Sequence, residues 1–476
     1  MSKKFLSVVI VLQALILISA VLINHTMGKS SSDNKTYVND EFGLLNNTMK
    51  YIKEYYRDKD DIKDDELIYG AVKGMVESLG DPYSQFLPPD LYNDMMDDTS
   101  GKFGGLGIEI GMTGNEGKEQ LTVISVFEGN PAFKAGMKSG DYITEINGKP
   151  TIGLSLYDAK RQLRGEPGTK LKLKIEREHE DEPLEFEITR DVIQISTVKH
   201  KILNNSIAYI RVTQFSDTTP KDFDKALKEI KNTNVKGIIM DLRSNPGGTL
   251  NASVDVASSF LGENQIVVST KSNIQGEDKE FRTNKGVLHT DLPLIVLIDR
   301  WSASGSEIVV GAIKDHKRGL IISANESTYG KGSVQTIFPM IDGKSGLKLT
   351  VAHYYTPSGK DINKVGIAPD IKRPNLTQEE IKMFRKLTSS NYIEQFIKET
   401  GDDVLIKLDK SDNNNEKNSF DKLLKKLNEE NIKLNEEYIK FAIAEKTKNE
   451  IDDYEYDPLI RFASKELRNN SLSVKQ

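Results

Sequence analysis

The chain has 476 residues, 37% of them hydrophobic, with 65 basic side chains against 71 acidic ones and no cysteine. That length exceeds one ordinary domain, and the apolar content suffices for several packed cores. A formal charge of −6 offers no general attraction for nucleic acid. The absent cysteines exclude disulfides, cysteine-ligated metal sites and a lipid-modified N-terminal cysteine.

In chain order, Lys3 and Lys4 precede an uncharged apolar run from Phe5 to Ile23. As a helix this run would span roughly the 30 Å of a bilayer core, with its basic end held in the cytosol. No small-residue cleavage site follows it. The sequence therefore predicts a cytosolic N-terminus at 1–4, a transmembrane signal anchor at 5–23, read as uncleaved against the rival of a cleaved signal peptide, and a polar linker at 24–36. The expected localisation is a single-pass cell-membrane protein whose body lies outside the cytoplasm. Residues 37–100 carry apolar positions at helical spacing, such as Leu45, Met49, Ile52 and Tyr56. They read as a small helical domain for packing and dimerisation.

From about Gly101 the pattern changes to short β-runs, among them Leu121 to Ile124, Tyr142 to Ile146 and Leu171 to Ile175. Between them lies a helix with Leu156, Ala159 and Leu163 on one face, capped by Ser155 with Asp158 three residues on. Residues 101–190 resemble a PDZ domain. The resemblance makes Phe103-Gly104-Gly105-Leu106-Gly107 the loop whose backbone N–H groups converge on a peptide's terminal carboxylate. Leu156 and Leu163 would line the peptide groove. The loop lacks the third glycine of a dinucleotide fingerprint and opens no helix.

Residues 191–373 alternate buried strands (Ile207 to Val212, Gly237 to Asp241, Leu292 to Ile298) with helical stretches (Asp222 to Ile230, Leu250 to Phe260, Glu307 to Lys314), which argues a mixed α/β core. Its most informative segments are Ser302-Ala303-Ser304-Gly305-Ser306-Glu307 and, further on, Tyr329-Gly330-Lys331-Gly332-Ser333-Val334-Gln335. Any of Ser302, Ser304 and Ser306 could act as nucleophile at the start of an apolar helix, where unpaired N–H groups stabilise a developing oxyanion. The same residues also fit an ordinary capping box. A lysine acting as general base must be neutral, which requires burial and no carboxylate partner, and no acid lies between Gly330 and Met340. Gln335 could orient such an amine. Residues four apart in a strand are separated by roughly 13 Å, so a turn is expected at Lys331–Gln335. No H-E-x-x-H pair and no trypsin-like nucleophile motif occurs. His316 and His353 lie in the core as structural residues or as groups that polarise the site.

These segments, together with Asp241-Leu242-Arg243-Ser244-Asn245-Pro246-Gly247-Gly248, Tyr354-Tyr355-Thr356-Pro357 and Gly366-Ile367-Ala368-Pro369-Asp370, resemble the motif set of the carboxy-terminal processing peptidases, or tail-specific proteases. The resemblance implies Ser304 as nucleophile, Lys331 as general base and Gln335 as its orienting partner. It also implies an oxyanion hole from the N–H of Gly247 or Gly248 and that of Gly305. Gly305 stands where the family's motif has alanine. Arg164 matches an arginine implied to touch the protease core when the PDZ domain is docked for activity, so a regulatory role is expected of it.

Residues 374–476 read as a charged helical region, broken by a solvated linker at Lys410 to Glu416, with Leu423, Leu427, Ile432 and Tyr438 expected in a homodimer interface. The fold class is α/β multidomain, a mixed α/β protease core with a PDZ domain and helical N- and C-terminal regions. The expected activity is a membrane-anchored serine endopeptidase that binds proteins with apolar C-termini and needs neither metal nor other cofactor. The alternative is a catalytically silent PDZ scaffold.

Overall fold

The computed structural model describes residues 42–113, 119–127, 129–178, 180, 182–203, 206–284, 288–324, 326–373, 376–409, 414–447, 454 and 456–468. They form two compact units, one containing residues up to 89 with 337–349, the other 90–336 with 350–476.

In the first unit, helices at 42–55 and Asp64–Glu77 precede a strand, Gln85–Leu87, that pairs antiparallel with Gly346–Lys348. The domain is thus helical only in part and borrows a distant segment. Helix Pro89–Ser100, expected within it, belongs almost wholly to the second unit. The expectation of a membrane protein is corrected. Among the described residues no helix is long and apolar enough to cross a membrane, and the run 5–23 on which the expectation rested lies outside them.

In the second unit the PDZ region forms a sheet of Ile108–Thr113, Gln120–Val126, Tyr142–Ile146, Lys170–Glu176 and Leu184–Thr189. Leu171, Leu173 and Ile175 alternate inward, as a half-buried strand requires, and meet Val123, Ile143, Ala159 and Leu163. Helix Leu156–Leu163 starts where Ser155 Oγ accepts the Asp158 N–H at 3.1 Å.

The region read as a mixed α/β core is built on a sheet in the order Val198–Leu203, Ile207–Val212, Gly237–Asp241, Leu294–Ile298, Leu320–Ser323, Ile371–Lys372. All neighbours are parallel except the first pair. Its strands are apolar throughout because both faces are covered. Ala208, Ile210, Ile238, Met240 and Val296 face helices Thr219–Lys231, Leu250–Ser258 and Gly305–Asp315. Tyr209, Ile239, Ile295 and Leu297 face helix Pro458–Arg468 through Leu459, Ile460, Ala463 and Leu467. Fully burying each such aliphatic side chain contributes roughly 1.5–3 kcal/mol, so the last helix is an integral layer of the sheet.

The intervening tail has a core of its own. Leu423, Leu427 and Ile432 pack with Leu387, Ile393, Phe396 and Ile443, and Tyr438 is half-buried. The dimer interface expected at these residues is therefore corrected, since the three aliphatic side chains are already covered within their own chain. Of the expected linker at Lys410–Glu416, residues 410–413 lie outside the described set, and the chain is helical from Asn414 to Glu429.

Candidate active site

Three loops leave the carboxyl ends of adjacent parallel strands, after Asp241, Ile298 and Ser323. In an open parallel sheet this edge is where ligand sites form. The loops carry Asn245–Gly248, Ser302–Ser304 and Thr328–Lys331 respectively.

The three serines have different surroundings. Ser302 is fully buried and its hydroxyl donates to the Leu242 carbonyl at 2.8 Å. Ser306 is also fully buried and donates to the Asn245 carbonyl at 3.0 Å. Ser304 is half-buried and sits at the N-terminus of helix Gly305–Asp315 with φ 51° and ψ −111°. Such a backbone costs a non-glycine residue of the order of 1–3 kcal/mol and persists only where the surroundings impose it.

What imposes it is Glu307, a residue fully excluded from solvent. Its Oε2 accepts the N–H groups of Ser304 (2.8 Å) and Lys331 (2.9 Å). Its Oε1 accepts the Gly330 N–H (2.7 Å) and the Thr328 hydroxyl (2.6 Å). One carboxylate thus clamps the serine turn to the lysine loop. Burial raises the Glu307 pKa against these four donors, which act in the lowering direction. Tyr354 adds a second link, with its hydroxyl on the carbonyl oxygens of Ser304 (3.0 Å) and Lys331. In the sequence Glu307 reads only as a helix cap, and neither Thr328 nor Tyr354 stands out by itself. The S-x-x-E spacing was the available signal, but nothing local says that the same acid reaches a loop over twenty residues on.

The Asn245–Gly248 loop packs directly on the serine. A Cβ built on Gly247, whose φ is 99°, would lie 2.8 Å from Ser304 Cβ and 2.6 Å from the Ala303 carbonyl oxygen, so only glycine fits there. The Gly247 N–H donates to Asn245 Oδ1 at 2.9 Å. The backbone nitrogens of Gly248 and Gly305 lie close together next to Ser304, a Cβ built on Gly305 falling 3.4 Å from the Gly248 nitrogen. Asn245 is held by Val212 and by Ala303, whose N–H donates to its carbonyl.

Lys331 is half-buried, and its backbone is fixed by Glu307. The turn expected at Lys331–Gln335 is corrected, because Ser333–Pro339 is a strand in which Gln335 is extended. The residues S-V-Q-T-I-F have the β-branched and aromatic character of a pleated surface, and the strand pairs with Gly346–Tyr355. Gln335 Nε2 donates to Ser333 Oγ (2.8 Å) and Thr350 Oγ1 (3.2 Å). His316 bonds the Ile266 carbonyl at 2.8 Å, and His353 lies opposite Lys271 in the strand pair.

At the PDZ region a cavity of about 430 Å³ is lined by Phe103, Gly105, Leu106, Gly107, Leu156 and Leu163, with Lys160 and Arg164 on its border. Leu106 buries its side chain in the PDZ core and so offers backbone, while Leu156 is exposed. Gly104 does not line the cavity. It lies against the Gly165 carbonyl oxygen, which would be 2.0 Å from an added Cβ. Arg164 meets partners different from the protease core expected for it. Its Nη1 donates to Asp94 (3.0 Å) and Asp97 (3.2 Å) of helix Pro89–Ser100, and its guanidinium stands 4.3 Å from the centre of the Phe103 ring.

Comparison with known proteins bears on all three regions. A family model described as peptidase family S41 matches residues 206–373 and a PDZ domain model matches 104–188. A model described as the activating protease CtpB N-terminal domain matches 17–90, beginning inside the run read as a membrane anchor. The carboxy-terminal-processing protease of Bartonella bacilliformis is 43% identical over 65% of this chain and 70% of that protein. The carboxyl-terminal-processing protease of a Synechocystis species is 35% identical over 73% and 80%. The carboxy-terminal processing protease CtpB of Bacillus subtilis is 34% identical over 70% and 67%.

Proposed function

Because this chain belongs to the carboxy-terminal processing proteases of peptidase family S41 and carries a PDZ domain, we propose that it is a serine–lysine endopeptidase. In this reading it holds the apolar C-terminal tail of a protein in the groove lined by Leu156 and Leu163 and cleaves that chain with Ser304. The observation that carries it is the contrast among the three serines: the hydroxyls of Ser302 and Ser306 are fully buried in bonds to backbone carbonyls, whereas Ser304 is only half-buried, with the backbone nitrogen of Gly305 next to it and that of Gly248 close by.

The steps follow from the positions of the groups. The Ser304 hydroxyl oxygen adds to the scissile carbonyl carbon while the neutral Lys331 amine takes its proton. The N–H groups of Gly248 and Gly305 receive the charge that develops on the carbonyl oxygen. The lysine ammonium then returns the proton to the departing amine, and water, deprotonated by the same amine, releases the acyl group. Gln335 belongs to this scheme as the group that orients the base, relayed through Ser333 or Thr350. Arg164 has a regulatory role in it, through the attachment of the PDZ helix to the acids of helix Pro89–Ser100.

A covalent serine-reactive probe and a peptide substrate with an apolar C-terminus test the reading. Labelling and cleavage are expected in wild type and in Ser302→Ala, and neither in Ser304→Ala. Lys331→Ala should bind the tail peptide normally and turn over none. Cleavage retained in Ser304→Ala, or in Lys331→Ala, sinks the assignment.

A further inference from the structure

The strand that precedes the Asn245–Gly248 loop ends in a charge cluster that nothing in the proposed chemistry uses. Asp241 is fully buried and accepts from Tyr209 (2.8 Å), Arg211 (3.3 Å) and the Arg243 Nε (3.0 Å) and Nη2 (2.6 Å). The remaining terminal nitrogen of Arg243, Nη1, donates to Asp457 Oδ2 at 2.8 Å. Two arginines are thereby balanced by two carboxylates, and the second carboxylate comes from far outside the segment 206–373 matched by the peptidase family.

Asp457 divides its two oxygens. Oδ1 accepts the N–H groups of Leu459 (2.8 Å) and Ile460 (3.0 Å) and so caps helix Pro458–Arg468, while Oδ2 holds the arginine. That helix is anchored on the sheet face opposite the serine helix, with Leu467 against Gly237 at the start of the same strand. On the other side, Arg211 donates to the Arg243 carbonyl (3.3 Å), and the next residue, Ser244, at φ 55°, is held through its N–H by Asp299. Beyond it Asn245 and Gly247 lie against Ala303 and Ser304. Polar contacts as far as Asn245 and Ala303, and from there the backbone of residues 245–248 packed on Ser304, thus connect the last helix to the donors proposed beside that serine.

We infer that Asp457 is a positioning residue of the active site: the C-terminal helix uses it to hold Arg243, and through Arg243 the Asn245–Gly248 loop. Without the Asp457 carboxylate, Arg211 and Arg243 share only Asp241, and a partly buried guanidinium loses a charged partner. The side chain then reorients toward water and takes the start of the loop with it. Displacing the Gly248 donor lowers the rate of the chemical step without altering the PDZ groove, which lies on other elements. The inference rests on Ser304 and Gly248 having the roles proposed above.

Asp457→Asn separates the two jobs of the residue, because asparagine caps a helix as well as aspartate does but carries no charge for Arg243. In the full-length protein, with active sites counted by the covalent serine probe, kcat per site is expected to fall about tenfold or more, with KM for a tail peptide within about twofold of wild type. Leu467→Ala, which loosens the same helix by removing packing alone, should lower the thermal midpoint more than Asp457→Asn does yet keep kcat per site near wild type. Arg243→Lys combined with Asp457→Asn should be no slower than Arg243→Lys alone. Wild-type kcat per site in Asp457→Asn overturns the inference, as does an equal kcat loss in Leu467→Ala, which would make the effect one of general stability. Cleavage by Ser304→Ala would instead overturn the nucleophile assignment, and this inference with it.

Discussion

Replacing Glu307 tests the central claim about the site, that one buried carboxylate holds the serine turn and the lysine loop together. In Glu307→Gln the amide nitrogen must face one of the two donor pairs. Turned toward Ser304 and Lys331 it would leave two buried N–H groups unmet. Turned toward Thr328 and Gly330, the threonine hydroxyl can rotate to accept, and only the Gly330 N–H is orphaned. A single unsatisfied buried donor costs about 1–3 kcal/mol. At 1.36 kcal/mol per decade, if the loop relaxes to recover that energy, kcat falls roughly ten- to hundredfold. Glu307→Ala orphans all three N–H groups and should cost about 3–9 kcal/mol, enough to deplete the folded protein. The assay pairs thermal unfolding with kcat per titrated site on a tail peptide, taken across pH.

The pH dependence carries a sign. Burial raises the Glu307 pKa in the folded protein, so the folded state binds that proton more readily than the unfolded chain does. The stability contributed by the protonated carboxyl is fully present below the unfolded value and is lost as pH rises through the folded one. Activity runs the other way, because only the carboxylate accepts from all four donors. Below the limb set by protonation of the Lys331 amine, wild type should therefore show a second, steeper fall in kcat above the usual glutamate range, and Glu307→Gln, resembling the protonated form at every pH, should keep only the Lys331 limb. If Glu307→Ala keeps kcat within twofold and its thermal midpoint within about 2 °C, the clamp does not hold the site, since even 1 kcal/mol shifts the midpoint of a domain this size by about 2–4 °C.

Gly247→Ala should abolish turnover while tail-peptide binding persists, because the new Cβ has no room between Ser304 and the Ala303 carbonyl; wild-type kcat by stopped assay would contradict the packing. Asp241→Asn should destabilise the core by about 3–5 kcal/mol in denaturant melts, since it leaves Arg243 and Arg211 short of a buried counter-charge. Burial alone would raise the Asp241 pKa, but Arg243 and Arg211 hold it below the ordinary value. Its stabilisation is thus present above the unfolded pKa and lost as pH falls through the folded one, a loss the Asn variant should not show. Arg164→Ala should leave peptide affinity in the groove near normal by titration but reduce kcat, as the PDZ helix loses Asp94 and Asp97; unchanged kcat would reduce Arg164 to a helix cap.

Much of this protein is local in its sequence. The PDZ strands alternate with period two and its helix carries its own cap, Ser155 with Asp158. The core strands are apolar on both faces, so their burial follows from their composition, and the α/β class from their alternation with helical stretches. The peptidase family was legible because its motifs are contiguous strings, and it is borne out by the relatives found. What sequence could not decide is which side chains those strings bring together. Three serines at spacing two have identical local chemistry. Only the packing of Leu242 and Asn245 against them consumes two hydroxyls and leaves Ser304 as the one of the three that is not fully buried. Glu307 satisfies a local capping rule, and the same rule hid its bonds to Gly330 and Lys331. The turn expected before Gln335 gave way to a strand because pairing with a distant segment outweighs two flanking glycines. Leu423, Leu427 and Ile432 have an apolar pattern that fits an intermolecular face as well as an internal one, and only the chain's own helices show which surface covers them. Asp457 lies in a tail whose charge reads as solvent-facing. Its place beside Arg243 comes from the last helix docking on the sheet, which is a property of the tertiary structure alone.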